Sequence, residues 1–197
     1  MREKAEMTDL SDQELMALVQ AGDYAPASVL FDRYSSRIYN FAYRFLRNNE
    51  AAEDATQEVF MKMMKRAHQF NGEAKLSTWL FSITANLCRD YLRKADNKAK
   101  EGEQVLVTSP STEDSPEQRL AQVQEADRVR EALDMLTPEQ REAILLSRYQ
   151  GLSYAEIAQI SGCSEGAVKT RVFRAMEALK RILVEDASGD GKCLNAL

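Results

Sequence analysis

Lys169, Thr170, Arg171, Phe173 and Arg174 crowd into one short run with few acids among them. Guanidinium and ammonium groups hold phosphate oxygens and read guanine edges in a major groove, so this set fits duplex DNA. A second set, Ser82, Asn86, Arg89 and Arg93, recurs at spacings of four, three and four. It begins in hydrogen-bonding groups and ends in cations. Beside a loop bearing Phe70 it suits single-stranded nucleic acid, with bases held by stacking and amide contacts and phosphates by arginine. A solvated helix face would carry the same residues. A third set, Asp54 and Glu58, lies four apart with Gln57 beside it. Like charges at that spacing repel by roughly a few tenths of a kcal/mol. A surface that keeps them suits a basic partner, although Lys62 offers Glu58 a plainer balance.

Bond-making chemistry finds little support. The three cysteines, Cys88, Cys163 and Cys193, are scattered without a C-x-x-C pair, and His68 is the only histidine. No metal site is expected. No glycine-rich phosphate loop, nucleophile elbow or HExxH occurs, so neither a cofactor nor a catalytic residue is expected. The chain has 197 residues, 29% of them charged, and a formal net charge of −5. That length suits one or two small domains. With 8 glycines, 4 prolines and no alternating strand pattern, helix should dominate. No apolar run reaches membrane-spanning length and the N-terminus lacks an apolar signal segment, so a cytoplasmic protein without membrane insertion is expected.

The elements that position these residues are helices. Ser153 with Glu156 reads as a capping box opening a short helix, and Gly162 supplies a turn at Ser161–Cys163. Ser164 then caps a longer helix whose buried stripe is Val168, Val172, Ala175, Leu179 and Ile182. A short helix, a tight glycine turn and a longer helix with a basic first half is helix-turn-helix grammar. The turn spacing and the charge asymmetry favour DNA over an ordinary helical hairpin.

In the first half, a helix from Leu10 to Gly22 carries Leu15, Leu18 and Val19 inward. The next, from near Pro26, buries Ala27, Leu30, Tyr34, Ile38, Phe41 and Phe45, with Arg33, Arg37, Asn40, Arg44 and Arg47 as its wet face. A third, from about Ala51 to Phe70, turns Ala52, Ala55, Val59, Met63 and Ala67 inward, helped by Phe60 and Met64. Ser77 or Thr78 caps a fourth, running to about Lys94, with Leu80, Ile83, Leu87 and Tyr91 inward.

Residues 97–117 lose periodicity and read as a linker. Fully extended, they would span up to ~70 Å, or about 20 base pairs of duplex. Leu120, Val123, Val129, Leu133 and Leu136 then mark a helix. Thr137, Pro138 and Gln140 open another as N-cap, first residue and closing side chain of a capping box. Gly151 ends it. Residues 186–197 are polar and expected to be disordered.

Three stretches together, AEDATQEVFMKMMK, FNGEAKLSTWLFSITANLCRDYLRK and LTPEQREAILLSRYQGLSYAEIAQISGCSEGAVKTRVFRAMEALKR, resemble the extracytoplasmic-function (ECF, group 4) sigma factors of bacterial RNA polymerase, a branch of the sigma-70 family. The likeness covers about residues 10–184. It implies an all-α fold of two small helical domains, a sigma-2 bundle over 1–96 and a sigma-4 four-helix domain over 118–185, joined by the 97–117 linker. By the same likeness Asp54, Gln57 and Glu58 match the segment that docks on core polymerase. This overturns the plainer reading of that carboxylate pair. Phe70, Asn71 and Lys75 fall in the loop that captures a flipped base of the −10 box. Asn86 contacts the same unpaired strand, with Arg89 and Arg93 as phosphate neighbours. Trp79 is expected to be structural. Ser164, Lys169, Thr170, Arg171, Phe173 and Arg174 match the −35 recognition helix, where Phe173 could equally belong to the core. The implied partners are core RNA polymerase at its clamp and flap, promoter DNA that is duplex at −35 and single-stranded at −10, and an anti-sigma factor. Net acidity then fits a protein that binds DNA weakly by itself and tightly with polymerase. The rivals are a conventional DNA-binding regulator, which would need no polymerase, and a protein-interaction adaptor, which would not need Lys169 or Arg174.

Overall fold

The structure is a computed structural model that describes residues 7–100, 129 and 131–185. Two compact units divide between residues 108 and 109, and among the described residues all regular structure is helical.

In the first unit Ser11 caps α1 (Asp12–Gln20) through a full capping box. Its hydroxyl accepts from the Glu14 amide at 3.3 Å, and its own amide donates to the Glu14 carboxylate at 2.7 Å. That bonding to Ser11 holds the Glu14 carboxyl below its ordinary pKa. Pro26 opens α2 (Pro26–Leu46), which stops at Arg47. Arg47 lies at φ 60°, the only described non-glycine residue with a positive φ. Asn48 caps α3 (Asn49–Lys65) by accepting the Ala51 amide at 2.8 Å. A single 3₁₀ turn over Ala67–Gln69 and a short loop lead into α4 (Leu76–Lys100). The apolar stripes close on one core in which Leu15, Met16, Leu30, Ile38, Phe41, Phe45, Met63, Leu80 and Phe81 are fully buried. Phe41 sits between Phe45 and Phe81 at ring distances of 5.7 and 5.8 Å.

Several expectations for this unit are corrected. Arg33 is not merely wet: it pairs with Asp12 at 2.7 Å and donates to the carbonyls of Thr8 and Leu10, also at 2.7 Å. Arg37 lies over the rings of Tyr34 and Phe81. Tyr34 donates its phenol to Asp12, and burial first, then that carboxylate, raise its pKa well above the usual tyrosine value. Met64 and Tyr91 are exposed rather than inward, while Leu87 is half-buried. Helix α4 starts at Leu76, so Ser77 and Thr78 lie inside it and neither is its N-cap. It also runs past Lys94 to Lys100, making the first four residues of the expected linker helical. Residues 101–117, with Leu120 and Val123, lie outside the described residues, as do 186–197 with Cys193.

In the second unit residues 131–134 are helical and Leu133 and Leu136 are buried. Arg141 fastens this turn to α5 (Pro138–Ile144), donating to the Leu133 carbonyl at 2.9 Å. Thr137 and Gln140 form the expected capping box. After Ile144 the chain widens into one π turn over Leu145–Tyr149, closed by Gln150 N to Leu145 O at 3.2 Å. The consecutive Ile144, Leu145 and Leu146 are all buried. Helices α6 (Tyr154–Ser161) and α7 (Glu165–Glu185) follow. Gly162 between them has φ 62°, where a side chain would be strained. Val168, Val172, Ala175 and Leu179 face the core, with Ile182 half-buried at the end of the stripe.

Candidate nucleic-acid and partner interfaces

Helix α7 sorts its residues by angle. With Val168, Val172, Ala175 and Leu179 inward, the 100° step of a helix sends Gly166, Thr170, Phe173 and Glu177 to the opposite side. Lys169 and Arg174 flank that outer row and are exposed. Phe173 is 63% exposed, so it does not belong to the core. Thr170 is exposed and donates its hydroxyl back to the Gly166 carbonyl at 2.9 Å. Ser164 is occupied as N-cap, accepting the Ala167 amide at 3.2 Å. Arg171 differs from its neighbours. It is half-buried at the edge of the core, and its guanidinium donates to the Cys163 sulfur at 3.3 Å.

In the first unit a continuous stripe runs along α4. Trp79, Ser82, Asn86, Arg89 and Arg93 follow one another at three, four, three and four, one side of a helix over about 21 Å. The side chains are tied in sequence. Ser82 donates to the Trp79 carbonyl at 2.7 Å, Arg89 to the Asn86 side chain at 2.8 Å, and Arg93 to Asp90 at 3.0 Å. The stripe begins where the 67–75 loop folds back, because Phe70 packs its ring on Trp79 at 5.5 Å. Phe70 is only 7% exposed, whereas Asn71 and Lys75 are open to solvent. Asn71 accepts the Glu73 amide at 3.2 Å, which pins the loop tip.

On α3, Asp54, Gln57 and Glu58 are all exposed, and Met61 continues the same face at 48% exposure. Lys62 does pair with Glu58, at 2.9 Å. An exposed pair of this kind contributes little to stability and yields readily to another cation. The angular pattern of α3 could have revealed Met61, since it lies seven residues from Asp54 and four from Gln57. Phe31 of α2, 44% exposed, meets Phe60 of α3 at 4.7 Å and is a further surface aromatic that periodicity did not single out. Among the described residues no cluster of His, Cys, Asp or Glu could hold a metal ion, and no helix is long and apolar enough to cross a membrane.

Comparison with known proteins gives these surfaces a context. The sigma-70 region 2 family matches residues 30–98, and the sigma-70 region 4 family matches residues 126–179. The chain is similar to the ECF RNA polymerase sigma factor SigM of Mycobacterium tuberculosis, at 37% identity over 88% of this chain and 85% of that protein. Among solved structures it is similar to CnrH in complex with the cytosolic domain of CnrY, with a TM-score of 0.69 and 25% identity over 89% of this chain and 98% of the other. It also resembles the sigma factor RpoE bound to the anti-sigma factor NepR from Bartonella quintana, with a TM-score of 0.62 and 28% identity over 88% and 96%. Two helical units in this order, with both region matches and a relative of this identity and coverage, place the chain in the ECF branch of the sigma-70 family, the non-enzymatic factors that direct RNA polymerase to promoters.

Proposed function

We propose that α3 docks on core polymerase through Asp54, Gln57 and Glu58, that the 67–75 loop and α4 hold the unpaired −10 strand, and that α7 reads the −35 duplex. The observation that carries this reading is the α4 stripe from Trp79 to Arg93, with the Phe70 loop folded onto its first residue. About 21 Å of hydrogen-bonding and cationic side chains suits a few extruded nucleotides. Asn71 at the open loop tip takes the flipped base, with the buried Phe70 ring bracing the loop against Trp79, and with Lys75 beside them. Asn86 contacts the strand, and Arg89 and Arg93 hold its phosphates. Extrusion costs a few kcal/mol of unstacking, which the polymerase-bound state must supply.

In the second unit the exposed row of α7 faces the major groove. Lys169 and Arg174 hold phosphate or guanine edges, Thr170 and Phe173 meet base surfaces, and Ser164 fixes the helix start. Arg171 shapes the end of this row from its seat against Cys163. Such a protein works in the cytoplasm, where core polymerase and DNA are. CnrH and RpoE are each solved with a protein partner, an anti-sigma factor in the case of RpoE, and we extend that mode of control to this chain.

The test is run-off transcription with purified bacterial core polymerase and a library of promoter fragments. Specific transcripts that require this chain, and that vanish on Asp54→Ala plus Glu58→Ala, are expected. Clean duplex binding by the chain alone, with no complex with core, would overturn the reading.

A further inference from the structure

The loop that carries Phe70 and Asn71 is held by a helix from outside the α3–α4 pair. Gln20, the last residue of α1, donates its side-chain amide to two carbonyls, Ala67 at 2.9 Å and Phe70 at 2.7 Å. The Ala67 carbonyl also closes the 3₁₀ turn by accepting the Phe70 amide at 3.0 Å. Seven residues earlier on α1, Gln13 reaches the Gly72 carbonyl at 3.4 Å. Residues seven apart share one side of a helix, so α1 presents two amides to one backbone segment. Gly72, at φ 76°, lets the chain reverse beneath Gln13.

The choice of residue type has a physical reason. A 3₁₀ turn of three residues has poor hydrogen-bond geometry and leaves its last carbonyls short of partners. A glutamine at Gln20 supplies a donor to the Phe70 carbonyl just past the turn and a second one to the Ala67 carbonyl that already closes it, from one side chain and without bringing charge near nucleic acid. The contact also fixes the direction of the Phe70 peptide, and with it the path of the chain into Asn71. The ring of Phe70 is held independently, against Trp79 at 5.5 Å.

We infer that Gln20 is a positioning residue for −10 base selection: it sets the backbone of the base-capturing loop from α1 without touching DNA. The inference rests on the assignment of the 67–75 loop to the −10 strand. Because Gln20 borders solvent, water partly replaces its bonds when they are removed. The geometry of the loop should suffer more than the stability of the unit.

The experiment uses holoenzyme and a labelled single-stranded oligonucleotide carrying the −10 element selected by run-off transcription. Its affinity is divided by that for the same strand with one substituted base. Wild-type holoenzyme discriminates. With Gln20→Met, which keeps the length and removes the donors, the ratio is expected to fall about fivefold. Affinity for core polymerase and for −35 duplex should be unchanged. Gln20→Glu, equal in size and turning acceptors toward the same carbonyls, should do the same if the methionine variant is poorly folded. Amide exchange at residues 69–73 should quicken in both variants while α2 to α4 remain protected. An unchanged ratio in a folded variant overturns the role of Gln20. Absence of discrimination in the wild type overturns the loop assignment and this inference with it.

Discussion

The Ser161 hydroxyl donates to the buried carboxylate of Glu142 at 2.6 Å, tying the last residue of α6 to α5 just before the Gly162 turn. This bond fixes where α6 ends against α5, and therefore where α7 begins. Removing the donor takes a charge-assisted hydrogen bond from a buried carboxylate, which costs about 1–3 kcal/mol. Ser161→Ala should lower the denaturation midpoint of the second unit, read by helical circular dichroism of the full chain. Trp79, the only tryptophan, lies in the first unit. Its fluorescence transition should therefore not move.

The two aromatics of the proposed DNA surfaces should part company on mutation. Phe173 is exposed, so Phe173→Ala should leave stability within about 0.5 kcal/mol. The same change should weaken −35 duplex binding by holoenzyme about tenfold. Phe70 is buried against Trp79, so Phe70→Ala should cost about 3 kcal/mol of first-unit stability in addition to any loss of −10 binding. Denaturant titration followed through Trp79, alongside the two binding assays, separates these effects.

The carboxylates of α3 should be dispensable for folding and essential for assembly. Asp54→Asn with Glu58→Gln removes charge from exposed positions and loses only the surface pair with Lys62. Stability should change by less than about 0.5 kcal/mol. Affinity for core polymerase, measured by fluorescence anisotropy of labelled protein, should fall at least about tenfold.

Alkaline pH should act on the first unit through Tyr34. Its folded pKa is raised by burial and by the adjacent Asp12 carboxylate, so protonated phenol favours the folded state. The contribution is fully present below the unfolded tyrosine pKa of about 10. It is lost progressively as pH rises above that value toward the folded pKa. Tyr34→Phe should therefore flatten the fall in stability above about pH 10, as followed by Trp79 fluorescence in urea.

Local signals in the sequence were strong where they depend on near neighbours. Ser153 with Glu156, Thr137 with Gln140, and Gly162 each act within four residues, and each has the expected geometry. What periodicity could not show were contacts between distant segments. Arg33 fits the wet face of α2 by spacing alone, yet its partners Asp12, Thr8 and Leu10 lie more than twenty residues earlier. Gln20 likewise reaches carbonyls 47 and 50 residues away. Met64 and Tyr91 carry apolar character at the margin of their stripes, where a side chain can cover the core edge and still meet water. The exposed aromatic on α7 was ambiguous for a related reason, because residue type alone does not distinguish a core phenylalanine from one that awaits a partner.

Arg47 offers a route to a hardier protein. A side chain at φ 60° costs roughly 1–2 kcal/mol that glycine avoids. Glycine gives back part of that through its greater freedom when unfolded. The joint between α2 and α3 is thus a place where heat tolerance could be engineered with a single substitution, away from the faces assigned to polymerase and promoter.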